Sequence, residues 1–128
     1  MDRVLLGWLA CAFFILSCSY SLFRRSKGIR SKLNLHIKRL LNYHCTFSII
    51  ATILAFIHAG ANLSNIRFST GYVSLLLMVL VTSIGILMKY FTKIYMEHKT
   101  FWLYLHIILA IMLFGAILLH IFSYLLLE

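Results

Sequence analysis

The chain has 128 residues, of which 62% are hydrophobic and only 12% charged, and it contains no proline. This composition excludes a soluble globular domain and a disordered chain, and it leaves almost nothing for an aqueous domain. The net charge of +9 would suit nucleic acid if it were spread over a surface, but it is clustered between apolar runs, where it reads as membrane topology and attraction to anionic lipid.

Four apolar runs follow one another: Val4–Phe23, Leu40–Ala61, Tyr72–Phe91 and Phe101–Leu127. Each is about as long as the ~20 residues a helix needs to cross the hydrocarbon core. Backbone polar groups in lipid must be satisfied within the segment, so all four are predicted to be helices. The first run resembles a secretion signal, and Leu16-Ser17-Cys18 faintly resembles a lipoprotein cleavage site. Its charge is weak before the run and strong after it, the reverse of a signal peptide, so a retained first helix is expected. Cys11 and Cys18 lie a heptad apart on it. With Cys45 they form no CxxC and no CxxCH, which excludes covalent c-type haem attachment and a zinc ribbon and leaves them as small packing residues.

A basic linker, residues 24–39, joins the first two runs, and its Leu33, Leu35 and Ile37 suit the membrane interface. The linker from Asn62 to Gly71 is polar. The last junction is short and carries Glu97, His98 and Lys99. Arg24, Arg25, Lys27, Arg30, Lys32, Lys38 and Arg39 flank the first junction, and Lys89, Lys93 and Lys99 the last. Only Arg3 and Arg67 lie on the other side. Ten of twelve positive charges thus share one face, which the positive-inside rule makes cytoplasmic. The expectation is an all-α transmembrane four-helix bundle, one domain over residues 1–128. Both termini lie outside and loops 24–39 and 92–100 are cytoplasmic, in what is expected to be a prokaryotic plasma membrane.

The six histidines form two triplets: His36, His44 and His58, then His98, His106 and His120, each of the second set 62 residues after its counterpart. The offset implies two helical hairpins of the same plan, a parallel repeat about an axis along the membrane normal. Fourteen residues of helix rise ~21 Å and return to within ~40° of the starting direction. His44 and His58 therefore share one face at two depths, as do His106 and His120. The second and fourth helices run in the same direction, so His44 is expected to face His106 near the cytoplasmic side, and His58 to face His120 near the outer side. Neutral imidazole is the usual nitrogen ligand of haem iron, and bundle cores are where such cofactors are held. Two b-type haems, non-covalent and bound by two histidines each, are expected.

Two other readings stand beside this one. Histidines in membrane helices also hydrogen-bond helix to helix, which would make the chain a non-redox anchor. They also line metal-ion paths, although a zinc or copper transporter more often recruits carboxylates or a methionine stripe, and Asp2, Glu97 and Glu128 all lie at the ends of apolar runs. His36 and His98, eight residues before the inner histidines, read as solvated interfacial residues, with a hydrogen bond to haem propionates or proton exchange at a quinone pocket as the functional alternative. Lys38, Arg39 and Lys99 are candidates for the inner propionates. Arg67, with Asn62 and Asn65, is the candidate at the outer haem. Gly115, Ala51 and Ala55, between the paired histidines, offer room for a macrocycle or for ordinary helix packing. Trp8, Tyr72, Tyr104 and Tyr124 suit interfacial belts. Phe13, Phe14, Phe47 and Phe56 suit contact with porphyrin or lipid.

The run Leu40-Leu41-Asn42-Tyr43-His44 through Ala55-Phe56-Ile57-His58, together with His106 through Leu119-His120, resembles the ligand helices of the ferric-reductase-like and related di-haem b-type cytochromes. The resemblance covers Leu40 to Glu128. It implies low-spin haem with no open coordination position, and electron passage across the membrane. Those proteins usually have six or more helices, against four here, and no flavin or nicotinamide domain follows in this sequence. The resemblance therefore implies an electron conduit in a respiratory complex. Its partners would be a quinone and another redox subunit, a c-type cytochrome or an iron–sulfur protein. No nucleic acid partner is expected.

The charge asymmetry generates a topology test. Single cysteines are introduced at positions 28 and 66 in a background without Cys11, Cys18 and Cys45. A membrane-impermeant thiol reagent applied from outside should label position 66 and spare position 28. The opposite pattern would invert the assignment of inner and outer histidines.

Overall fold

A computed structural model of the chain describes residues 2–26, 28, 37–60 and 70–127. Among these there are five helices and no strand: α1 (Arg3–Arg25), α2 (Ile37–Gly60), α3 (Thr70–Tyr90), α4 (Thr92–Glu97) and α5 (Lys99–Leu127). Four of them coincide with the four apolar runs, with ends displaced by up to three residues. Each begins one to three residues before its run, because a helix continues into polar sequence for as long as its terminal carbonyls and amides find water or a cap. The last junction departs further from expectation. It is not a loop but a short helix set off by single residues at each end. Phe91 (φ −102°, ψ 61°) precedes α4 and His98 (φ −131°, ψ 46°) follows it. Backbone bonds run across both breaks, from Tyr95 N–H to Phe91 O at 3.1 Å and from Trp102 N–H to His98 O at 3.1 Å.

Segments of α2 (Lys38–Gly60), α3 (Thr70–Tyr90) and α5 (Lys99–Leu126) are long and apolar enough to cross a membrane, whereas the apolar part of α1, Val4–Tyr20, is shorter. Their outer faces are built for an apolar solvent. On α5, Ile111 is 66% and Leu119 65% exposed, and Phe122 and Leu125 point outward with them. Apolar surface on that scale is uncommon on a water-soluble monomer.

The chain divides into two compact units, Met1–His58 and Ala59–Glu128. In the first, α1 and α2 run antiparallel: Gly7 meets His58, Phe13 stacks at a tilt on Phe47 with centroids 5.8 Å apart, and Ser17 meets His44. In the second, α3 and α5 are antiparallel: Gly71 meets His120 and Gly85 meets His106. The buried residues follow helical spacing along the inner faces. Leu6, Ala10, Phe14 and Ser17 line α1, Ser74, Met78 and Val81 line α3, and Ala51 and Leu113 are the most buried positions of α2 and α5. Two of the buried hydroxyls are satisfied within their own helix, Thr52 donating to Ser48 O at 2.8 Å and Ser74 to Thr70 O at 3.0 Å. Such back-bonding lets a polar side chain sit in an apolar seam without leaving a donor unpaired.

Candidate histidine sites

The two units share a seam of one design. Along α2 the residues His44, Ala51 and His58 recur every seven positions, and along α5 so do His106, Leu113 and His120. Seven residues are nearly two helical turns, so each triplet keeps to one face. In the second unit the facing helix carries a complementary triplet, Gly71, Met78 and Gly85 on α3, and in the first unit α1 presents Gly7 to His58 and Ser17 to His44. Antiparallel pairing with Gly71 at His120 and Gly85 at His106 is a constant register: fourteen residues forward on α3 match fourteen back on α5. Midway between them that register sets Met78 against Leu113, both buried. In the first unit Phe14 and Ala51 are buried as well, but the pairs there are Gly7 with His58, Phe13 with Phe47 and Ser17 with His44, so the register drifts along the seam. In both units buried apolar side chains lie between the levels of the two imidazoles.

The glycines make room for the rings. A methyl group at Gly7 would lie 3.1 Å from Cε1 of His58, 3.4 Å from Nδ1 and 3.5 Å from Nε2. At Gly71 the corresponding distances to His120 are 3.0, 3.4 and 3.5 Å. A β-carbon at either position would press on the face of the ring rather than on the tip of a flexible chain. Gly85 is looser, with 3.5 Å to Cε1 of His106. Gly115, by contrast, faces open space among the described residues, and Ala51 is sealed in the seam. The small residues that shape the sites lie across from the histidines, on α1 and α3.

His44 is held differently. Its Nδ1 is 2.8 Å from the carbonyl oxygen of Ser17 and 3.0 Å from the Ser17 hydroxyl, which also donates to the His44 carbonyl at 3.1 Å. Tyr20 packs on the same imidazole, with centroids 5.1 Å apart and planes at 31°. His120 Nδ1 is 3.2 Å from the hydroxyl of Thr70, which in turn lies 3.3 Å from that of Ser123. Ser123 donates to the His120 carbonyl at 2.9 Å. An imidazole whose Nδ1 is engaged offers Nε2 as its ligand nitrogen, the arrangement that orients histidines at metal centres.

The remaining candidates are peripheral. Lys38, Arg39 and Lys99 are exposed at the ends of α2 and α5, and His98 is exposed at the break before α5. His36, Asn62, Asn65 and Arg67 lie outside the described residues. Phe13 and Phe14 pack within the first hairpin, whereas Phe56, Trp8 and Tyr104 face outward. No disulfide joins Cys11, Cys18 or Cys45. Among the described residues, no three His, Cys, Asp or Glu side chains gather as a structural zinc site requires. No family model, no curated protein and no solved structure matches the chain.

The glycine contacts predict a graded series. Gly71→Ala places a methyl on the His120 ring and should destabilise the detergent-solubilised protein by about 1–3 kcal/mol, the usual cost of overpacking a seam. Gly115→Ala has nothing to displace and should be neutral or gain up to ~1 kcal/mol from helix propensity. Gly85→Ala should fall between them. Thermal unfolding of the three variants beside wild type checks the order, and equal effects at Gly71 and Gly115 would contradict the contact.

Proposed function

We propose that the chain is a four-helix membrane cytochrome b that carries electrons between the two faces of a membrane as a subunit of a larger redox complex. In this reading each hairpin contributes one ligand to each of two haems, His44 with His106 and His58 with His120. The observation that carries it is the doubled seam: two hairpins of different sequence each hold two imidazoles, fourteen residues apart, across from small residues or a hydrogen-bonding serine. Histidines that only glued helices together would not need this repetition, nor glycines opposite them.

The side chains suit the group. His44 and His120 have Nδ1 engaged, which leaves Nε2 to a haem iron, and the glycines keep the rings of His58, His106 and His120 close to the opposing backbone. Haem bound in this way supplies a one-electron iron couple. The protein's part is to fix the ligand nitrogens at two depths ~21 Å apart along the helix and to exclude water with buried Phe14 and Met78; two histidines per haem would leave the iron no position for oxygen chemistry. Lys38, Arg39 and Lys99 at the inner end, and Arg67 at the outer, are the charges available to propionates. Donor and acceptor then come from partners, a quinone or cytoplasmic donor on one side and a c-type cytochrome or iron–sulfur protein on the other. The basic junctions face the cytoplasm in this arrangement.

Haem content per chain tests the assignment. His44→Ala and His106→Ala should each remove one haem of two, and the same one. His58→Ala and His120→Ala should remove the other, while His36→Ala and His98→Ala keep both. In sealed vesicles with reductant inside, wild type should reduce an impermeant external acceptor and His44→Ala should not. Full haem occupancy after loss of His44 would refute the ligand assignment. A colourless protein with histidine-dependent zinc or copper uptake would replace it with a transporter.

A further inference from the structure

The pairing of Ser17 with His44 fixes the state of the ring. A carbonyl oxygen only accepts hydrogen bonds, so the 2.8 Å contact between His44 Nδ1 and Ser17 O requires the proton of the neutral ring to be on Nδ1. The Ser17 hydroxyl stands 3.0 Å from the same nitrogen while directing its own hydrogen to the His44 carbonyl 3.1 Å away. Its lone pairs therefore face Nδ1–H as a second acceptor. The two residues hold each other reciprocally, ring to backbone and side chain to backbone. Ser17 is 3% exposed, so water does not compete for these bonds and they act in a medium of low dielectric.

We infer that Ser17 is a positioning residue for His44: it fixes the Nδ1–H tautomer, leaves Nε2 as the coordinating nitrogen, and makes that nitrogen a more basic ligand. Acceptors on Nδ1–H shift the imidazole toward imidazolate character, which favours the more positive oxidation state of a bound metal. With the di-haem reading, on which this part rests, the centre that contains His44 is held at a lower reduction potential than it would have without the serine hydroxyl. In the second unit the contact at His120 Nδ1 is to the exposed Thr70 hydroxyl, longer at 3.2 Å. The serine clamp acts on the centre that contains His44.

Two measurements test this separately. Imidazole 15N NMR of the haem-free, detergent-solubilised chain, with His44 assigned by its loss in His44→Ala, should show His44 protonated at Nδ1. Protonation at Nε2 instead would overturn the inference whether or not haem binds. Redox titration of the haem-loaded chain should then show the centre that His44→Ala removes shifted upward in Ser17→Ala, returned toward wild type in Ser17→Thr, and the other centre unmoved. Loss of that haem alone in Ser17→Ala, with retention in Ser17→Thr, supports the same role. Unchanged potentials in a fully loaded Ser17→Ala, or equal shifts of both centres, overturn it. If the chain takes up no haem, the di-haem reading falls, and the His44 tautomer with its Nδ1–H proton shift, moved upfield in Ser17→Ala if the hydroxyl accepts and unchanged if it does not, decides the role of Ser17.

Discussion

An imidazole in the apolar seam between two helices needs room for a flat ring and a partner for the nitrogen that carries the proton. The opposite helix supplies room at His58, His106 and His120 and a partner for Nδ1 at His44 and His120. An ordinary side chain across from His58 or His120 would hold the helices apart, so the position goes to Gly7 or Gly71. At His44 the facing helix contributes Ser17, whose carbonyl and hydroxyl both reach Nδ1. Without such partners a buried polar ring costs several kcal/mol, enough to erase the packing advantage of the seam.

The same constraint explains the apolar layers. Helices brought close at two levels, by two glycines in the second hairpin and by Gly7 and the Ser17 bonds in the first, leave a gap between those levels. Phe14 and Ala51 are buried there in the first hairpin, and Met78 and Leu113 in the second. The two solutions share little sequence. What repeats is the fourteen-residue interval of the histidines with buried apolar residues between them, while residue identity outside the histidines is slight.

Much of this was open to a reader of the sequence. Hydropathy sufficed for the helices because lipid leaves no alternative to internal backbone bonding, and the fourteen-residue interval sufficed for the two histidine columns because the period of the helix is fixed. The small residues opposite were less legible. Attention to spacing on the histidine helices picked out Gly115 and Ala51, whereas the glycines that touch imidazoles are on α1 and α3. Gly71 and Gly85 stand fourteen residues apart, the same interval as the histidines, so a search for that interval on every helix would have found them, but Gly7 has no glycine fourteen residues on and carried no such signal. The bond between Ser17 and His44 had no such signal. Serine in a membrane helix is common, and only the antiparallel register brings this one to an imidazole. The α4 break was likewise unreadable, since no proline or glycine marks it.

That break bears on how the second hairpin is assembled. From Thr70 to Leu127 only Phe91 and His98 leave the helical state, so α3 and α5 are joined by a connector with almost no slack. The entropy lost in closing a connection grows with its length, and a short stiff one leaves little to lose. Contacts between Gly85 and His106, near in sequence, can form as soon as both helices exist, and those between Gly71 and His120 follow by zipping outward along a register already set. Low contact order of this kind favours rapid assembly. The second hairpin is thereby suited to enter a bilayer as one prefabricated unit, its two imidazoles already seated when it arrives.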